Sequence, residues 1–406
     1  MSNLRIAELD FDQIKSNLKT YLASQSEFTD YDFEGAGLSV LLDVLAYNTH
    51  YNAYLANMVV NEMFLDSAIK RSSAVSIAKH LGYTPRSDRG AKAVVNITAT
   101  NVVGSPSYIT LPKYTIFTST VNNSTYTYVN LQEYSATLNN GSYTFNNVEL
   151  IQGAYYSYSY NVVTPGPDEK YVLPNNGIDT TSLRVIVQNS SNDATQTLYT
   201  QTTDIVNIDS TSKVYFLQEN SQEKYEIFFG DDIIGKKLTA GNIVNIEYII
   251  TDGEAANVSS NITQAFTTVS IQGSSDVTIT TVSNAVGGAS KEGIQSIKFN
   301  APLINAAANR AVTTEDYKAL ITSSITEAES VSVWGGEDNV PPIYGKVLIS
   351  LKPYDGFTIS QSTKDIITSQ ILSNKKVLAI QPQFIDPEYF YIGMDINVKY
   401  LSLIYI

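Results

Sequence analysis

Between about Ala91 and Val286 the chain is built of short runs in which β-branched and aromatic residues alternate with polar ones. Gly, Pro and Asn-Gly break the runs along this stretch. Ala93–Thr98 (AVVNIT), Tyr126–Val129, Leu183–Val187 (LRVIV), Val214–Leu217 and Ile243–Ile250 (IVNIEYII) are examples. A period of two places alternate side chains on opposite faces of a strand, and turn residues at this spacing leave no room for long helices. The expectation is a mainly antiparallel β region, with Asn140-Gly141 as a hairpin turn. Within it, Tyr155–Tyr160 (YYSYSY) would set several tyrosine rings on one strand face. Such a row serves sheet packing or a partner contact first, and a sugar second.

The flanks follow other rules. Upstream, Phe11, Ile14, Leu18, Tyr21 and Leu22 recur at helical spacing. A second helix is predicted over Leu38 to Leu65, carrying Leu41, Leu42, Leu45, Leu55, Met58, Val59 and Phe64. Asn48, Asn52, Asn57 and Asn61 interrupt its apolar surface and are expected on a solvated face. A third helix, about Ala68 to Leu81, ends at Gly82 with Pro85 beyond. This much apolar helix ahead of a β region suggests a core completed by another chain.

Downstream of Gly287, helix and strand alternate. Short helices are predicted at Gly293–Phe299, at Thr314–Ile321 and at Ser362–Ser373, with Ser362 as cap. Strands are predicted at Tyr344–Lys352, Val377–Ile380 and Tyr391–Lys399. Thr313 is a suitable N-cap for the second helix, with Asp316 three residues on to complete a capping box. The fold class is therefore α+β multidomain: helices over 1–88, a β-rich part over 89–286, and a small α+β domain over 287–406. A length of 406 residues fits two to four domains.

Composition narrows the function classes. The net charge is −14 and no Lys/Arg cluster stands out, which argues against binding nucleic acid or an anionic membrane. No cysteine is present, so disulfides, zinc-thiolate sites and thiol catalysis are excluded. The N-terminus, with Glu8, Asp10 and Asp12, does not read as a signal peptide, and Asn-x-Ser/Thr triplets such as those at Asn96 and Asn261 reflect abundant Asn, Ser and Thr.

Several patterns imitate chemistry. Gly230 to Lys236 (GDDIIGK) has the spacing of a phosphate-binding loop after a strand-like run. Against that reading, Lys237 stands where a magnesium-binding Ser or Thr is needed, Asp231 and Asp232 would repel phosphate, and no long helix follows. The two histidines, His50 and His80, fall on different predicted helices. The acidic pairs Asp231/Asp232 and Glu337/Asp338 lack the regular oxygen spacing of a calcium loop. No catalytic residue, metal site or cofactor is expected.

Three long stretches, read in order, carry a resemblance. They are Tyr225–Gly253 with its Phe229-Gly230-Asp231 turn, Gly235 and Gly241; Val286–Ile321 with NRAVTTEDYKALI, hence Arg310, Thr313, Asp316 and Tyr317; and Val331–Pro353 with Trp334-Gly335-Gly336. Together with Asp43–Asp66, they resemble the baseplate J family and the wedge subunits of T-even-like contractile-tailed phages. The resemblance implies a structural, non-enzymatic protein of the virion tail baseplate, present in the host cytoplasm during assembly. It implies partnership with a larger wedge subunit and a sheath-initiator-like protein. It also implies self-association as a dimer and an inner ring, and rearrangement when the sheath contracts. The named signature residues are then architectural. For Arg310 the alternatives are a functional arginine and, the plainer reading of its chemistry, a bridge from turn to helix through carboxylate or backbone hydrogen bonds. A glycan-binding or adhesin-like β-rich tail protein is the rival, resting on the tyrosine tract alone. Related subunits continue well past Tyr400, so the ending Leu401–Ile406 (LSLIYI) reads as a truncation or frameshift, with a short relative as the alternative.

Overall fold

The computed structural model describes residues 10–28, 37–166, 168–202, 208–258, 263–268, 271–272, 274, 276–307, 310–325, 328–353, 358–359, 361–373 and 375–390. Two compact units divide at 309/310.

The first unit opens with helices α1 (Phe11–Ala23), α2 (Leu38–Glu62) and α3 (Arg71–His80). The Asp10 carboxylate caps α1 by accepting from Gln13 N–H at 3.0 Å. Gly82, at φ +75°, closes α3 as expected. The asparagine row of α2 does not lie on one face. Asn48 and Asn52 are exposed and bond each other, but Asn57 and Asn61 are only 6% and 8% exposed. The five-residue step from Asn52 to Asn57 turns the helix by about 140°, so the second pair points the opposite way to solvent. The expectation of a single solvated stripe is corrected.

Strands β1 (Lys92–Thr100), β2 (Tyr108–Leu111), β3 (Ile116–Val121), β4 (Ser124–Val129), β5 (Tyr134–Asn139) and β6 (Ser142–Gln152) follow. Asn140 and Gly141, both at positive φ, make the two-residue turn between β5 and β6. Then come β7 (Ala154–Asn161), β8 (Tyr171–Val172), β9 (Ile178–Gln188), β10 (Gln196–Gln201), β11 (Val214–Glu219), β12 (Tyr225–Phe229) and β13 (Ile243–Ile250). The chain ends its β region with β14 (Thr267–Thr268) and β15 (Asp276–Val286).

These strands form two sheets rather than one. The host sheet has the order β14-β3-β4-β6-β1-β15, with β2 and β5 attached through β6. The second sheet, β7-β13-β9-β10-β11-β12-β8, is inserted in sequence between β6 and β14. Its end strands come back together: the Tyr160 hydroxyl, on β7, donates to the Val172 carbonyl, on β8, and the Tyr160 and Tyr171 rings meet edge-on at 5.4 Å. The inserted sheet is thus rolled around its own core, which includes Leu173, Val185, Ile227, Val244 and Ile246. The host has a separate core, with Val95, Ile97, Phe117, Tyr128, Phe145 and Leu150.

Helix α4 (Ile294–Ala307) is longer than the predicted Gly293–Phe299 and runs on through Pro302. Proline removes one backbone hydrogen bond, but Ile297 and Ala301 bury against Ala74, Val75 and Ala78 of α3 and carry the helix past it. Because α4 packs on α3, it belongs to the first compact unit, and the second begins at Arg310.

The second unit comprises α5 (Thr314–Ser324), β16 (Ala328–Gly335), β17 (Lys346–Pro353), α6 (Gln361–Ile366, continued as a π-helical turn over Ile367–Leu372) and β18 (Gln381–Ile385). β17 and β18 are parallel, joined through α6, and Tyr317, Leu320 and Ile321 of α5 pack on Ile349 and Leu351. Two expectations are corrected here. Ser362 lies inside α6, which starts at Gln361. Val377–Ile380 is a turn, closed by Ile380 N–H on the Val377 carbonyl, and the strand starts at Gln381, where the backbone can pair with β17. The predicted strand Tyr391–Lys399 and the ending Leu401–Ile406 lie outside the described residues.

Candidate interaction surfaces

Helix α2 buries a narrow face made of Leu42, Ala46, Ala53, Asn57 and Asn61. Around the rest of its circumference Val40, Leu41, Val44, Tyr47, Tyr51, Tyr54 and Val59 are each more than half exposed. A helix apolar on nearly every side is normally buried on every side. An uncovered apolar helix this long is the signature of a surface that takes a partner.

The tyrosine tract is strand β7, at one end of the inserted sheet's path. Tyr156, Tyr158 and Tyr160 share a face by the strand period, and Tyr155 turns to the other side. Tyr156 stacks toward the buried Tyr248, Tyr158 lies tilted against Tyr160 at 4.9 Å, and Tyr155 stacks on Tyr114 at 3.8 Å. The rings are spent largely on one another and on the core, although Tyr156 and Tyr158 remain 46% and 43% exposed.

The phosphate-loop imitation is a strand–turn–strand. Phe229 ends β12 with its ring against Tyr171 and Tyr199. Asp231 Oδ1 accepts from the Ile233 and Ile234 N–H groups, and these bonds hold its pKa below the ordinary carboxylate value. Asp232 accepts from Lys237 N–H, so both acids brace the turn. Gly235 and Gly241 sit at φ +84° and +90°, where glycine is favoured. A Cβ on Gly230 would lie 2.2 Å from the Gly235 carbonyl oxygen.

Arg310, Thr313, Asp316, Tyr317, Trp334, Gly335 and Gly336 belong to the second unit, apart from the Phe229–Gly241 turn. Thr313 Oγ1 accepts from Asp316 N–H at 3.2 Å, and Asp316 Oδ2 accepts from Thr313 N–H at 2.9 Å, a complete capping box. Burial opposes the charge on Asp316, but these bonds together with the Val312 N–H outweigh it and lower its pKa. Arg310 is exposed and adds only its charge to that effect. Tyr317 is buried in the core of the unit. Trp334 faces Leu348 across β16 and β17, and the Gly336 carbonyl accepts from Ile343 N–H at 2.8 Å. A Cβ on Gly336 would collide with the Ile343 carbonyl, so the Gly-Gly step is a backbone contact.

His50 is on α2 and His80 ends α3, and among the described residues no three of His, Asp and Glu gather as a metal-holding group. No described helix is long and apolar enough to cross a membrane. A buried ion pair escaped the sequence reading altogether. Arg71, on α3, donates to Glu219, at the end of β11, through Nε at 2.8 Å and Nη2 at 2.9 Å, and through Nη1 to the Glu292 carbonyl. A separation of 148 residues between Arg71 and Glu219 leaves no local signal of the pairing.

Three family models match the chain. Residues 10–83 match the helical domain of baseplate wedge protein gp6-like, residues 161–262 the third domain of bacteriophage baseplate wedge protein gp6, and residues 313–385 the C-terminal domain I of baseplate structural protein gp6. The chain is similar to gp6-like baseplate wedge proteins. Baseplate wedge protein gp6 of Enterobacteria phage T4 is 28% identical over 420 residues, covering 96% of this chain and 60% of that protein. The chain thus spans about three-fifths of that relative's length. The matches name gp6-like wedge domains, so the resemblance holds at the level of baseplate wedge proteins. Their limits follow structural joints: the first takes in α1 to α3, the second the inserted sheet apart from most of β7, and the third runs from the Thr313 cap to the end of β18. Among solved structures, a chain of the anti-feeding prophage baseplate superimposes with TM-score 0.32 at 12% identity, over 94% of this chain and 80% of that one. A chain of the type VI secretion TssK-TssF-TssG baseplate subcomplex gives TM-score 0.36 at 7% identity, over 85% and 98%. Superpositions this loose carry no structural conclusion.

Proposed function

We propose that this chain is a structural component of a contractile phage tail baseplate, working as a wedge subunit of the virion without catalysing a reaction. The observation that carries the reading is the ordered run of three gp6-like matches along the chain. The uncovered α2 supports it, because a subunit that assembles with others needs apolar helix surface left over after its own fold is complete. We assign to it the finer roles that the resemblance implies: assembly in the host cytoplasm with a larger wedge subunit and a sheath-initiator-like protein, pairing and ring closure with its own copies, and a change of shape on sheath contraction. The baseplate-J-like domain, in this reading, is residues 287–406, and the signature residues, from the Phe229-Gly230-Asp231 turn to Trp334-Gly335-Gly336, act as architecture. The glycan-binding rival is disfavoured by the packing of the β7 tyrosines on Tyr114, Tyr248 and one another.

The test is co-expression with the remaining wedge proteins of the same phage, followed by size exclusion with light scattering. Formation of a stoichiometric complex that needs α2 supports the proposal. A chain that stays alone while binding host glycans overturns it.

A further inference from the structure

The inserted sheet leaves and rejoins the host within a short distance. The chain enters at Gly153, directly after β6, and returns at Thr251. There the Gln152 side chain ties the two crossings together. Its Oε1 accepts from Thr251 Oγ1 at 2.5 Å and from Asp252 N–H at 3.0 Å, and its Nε2 donates to Asp252 Oδ2 at 2.7 Å. The apolar contact at this joint is one cluster: Val129, Leu131 and Ile151 of the host against Ile249 and Tyr155, whose ring also stacks on Tyr114 of the host at 3.8 Å. The host core and the inserted core are otherwise separate clusters.

Besides the joint and the Tyr114–Tyr155 stack, the ties between the inserted sheet and the rest of the unit are polar. Arg71 of α3 grips Glu219 with two nitrogens, their side chains 8% and 2% exposed. Ser87 Oγ and Thr180 Oγ1 lie 2.8 Å apart, and Gly90 N–H donates to Asp179 Oδ2 at 2.9 Å. Lys291 pairs with Glu223. Beside these ties lies a cavity of about 640 Å³, lined by Asp88, Asn176, Glu219, Glu223, Tyr225 and Lys291. A polar, cavity-bearing contact between two bodies with their own cores is the kind that opens as a unit, because opening exchanges protein hydrogen bonds for water without uncovering a core.

We propose that the inserted sheet is a hinged module, pivoting at Gln152–Gly153 and Thr251 and held closed against the helical layer by an Arg71–Glu219 clasp. The inference does not depend on the wedge assignment. It follows from two separate cores, a narrow double crossing and a buried ion pair that ties the helical layer to β11 outside that crossing. Arg71 is the central group of the clasp because its third contact, to the Glu292 carbonyl, fixes the guanidinium to the start of α4. The grip on Glu219 is therefore a link between the helical layer and β11, rather than a contact within either.

The chain has no cysteine, so two labels can be placed without background. Spin labels at Ser76→Cys on α3 and Asn192→Cys after β9, both exposed positions, report the separation of helical layer and module by double electron–electron resonance. The full chain should give one narrow distance distribution. Arg71→Met and, independently, the isosteric Glu219→Gln should at least double its width or add a longer component, with circular dichroism unchanged. The exchanged pair Arg71→Glu/Glu219→Arg should narrow it again. An unchanged distribution in a folded Glu219→Gln variant overturns the proposal. So does loss of helical circular dichroism in both single variants, which would make the pair a requirement of folding rather than a clasp.

Discussion

The Tyr83 hydroxyl donates to Glu292 Oε2 at 2.6 Å, joining the segment after α3 to the residue just ahead of α4. The same carboxylate accepts from Arg86 N–H at 3.1 Å, Ser296 Oγ at 2.6 Å and Asn300 Nδ2 at 2.9 Å, so one buried acid gathers four donors. Burial pushes the Glu292 pKa up, and the hydrogen bonds from Ser296, Tyr83, Arg86 and Asn300 more than reverse this, leaving it lowered.

A lowered acid favours the folded state wherever the unfolded chain would hold the proton more tightly. Glu292 therefore contributes its full stabilisation above its ordinary value of 4.5, and that contribution is lost as pH falls through its folded value. Glu292→Gln should flatten the acid limb of the stability curve below about pH 4.5. Tyr83→Phe, which removes one donor, should cost about 1–2 kcal/mol at neutral pH. Urea titrations from pH 3 to pH 7 check both, and an acid limb unchanged by Glu292→Gln would refute the first.

Polar substitution on the uncovered side of α2 should leave the isolated chain intact. Val44→Ser with Tyr51→Ser removes side chains that are 63% and 52% exposed, so the melting temperature should move by no more than about 2 °C, within the range of ordinary surface changes. The same pair should abolish co-elution with wedge partners. A complex that still forms would place the partner contact elsewhere.

Gly230→Ala tests the Phe-Gly-Asp turn. The added methyl meets two backbone carbonyl oxygens, of Gly235 at 2.2 Å and Ile234 at 2.3 Å, neither of which can swing aside like a side-chain tip. A loss on the order of 3 kcal/mol is expected, comparable to a badly overpacked core position. Gly37→Ala, where nothing lies within 4 Å, is the matched control and should be close to neutral.

Thr313→Ala removes the acceptor for Asp316 N–H, a loss of about 1 kcal/mol typical of an N-cap. Hydrogen exchange should accelerate roughly fivefold in the first turn of α5 while the β1 amides stay unchanged, since the cap belongs to the second unit.

Local rules made much of the architecture legible. Alternation located strands such as β1, β9 and β13, Asn140-Gly141 marked its hairpin, and Thr313 with Asp316 marked the start of α5. What local rules miss is pairing across distance. Nothing near Lys92 tells that β1 takes its outer neighbour from β15, so one β region hid two sheets. Packing also overrode propensity at Pro302, where contact with α3 sustains a helix that proline would end. Arg71 carried no signal either, since a lone arginine on a short helix looks like solvent-facing charge until its distant partners are placed.

The insertion between β6 and β14 has a consequence during synthesis. All seven strands of the inserted sheet, β7 to β13, leave the ribosome before β14 and β15, so that sheet can close while its host is still missing two strands. Until then β1 shows an unpaired outer edge, and at about 5–20 residues per second the wait lasts many seconds. An open edge of nine residues is a template for pairing with a neighbouring nascent chain. β3 waits likewise for β14, but pairs with it through only two residues, so the risk of misassembly in this protein is greatest on β1 and in one interval, before the last strand of the host arrives.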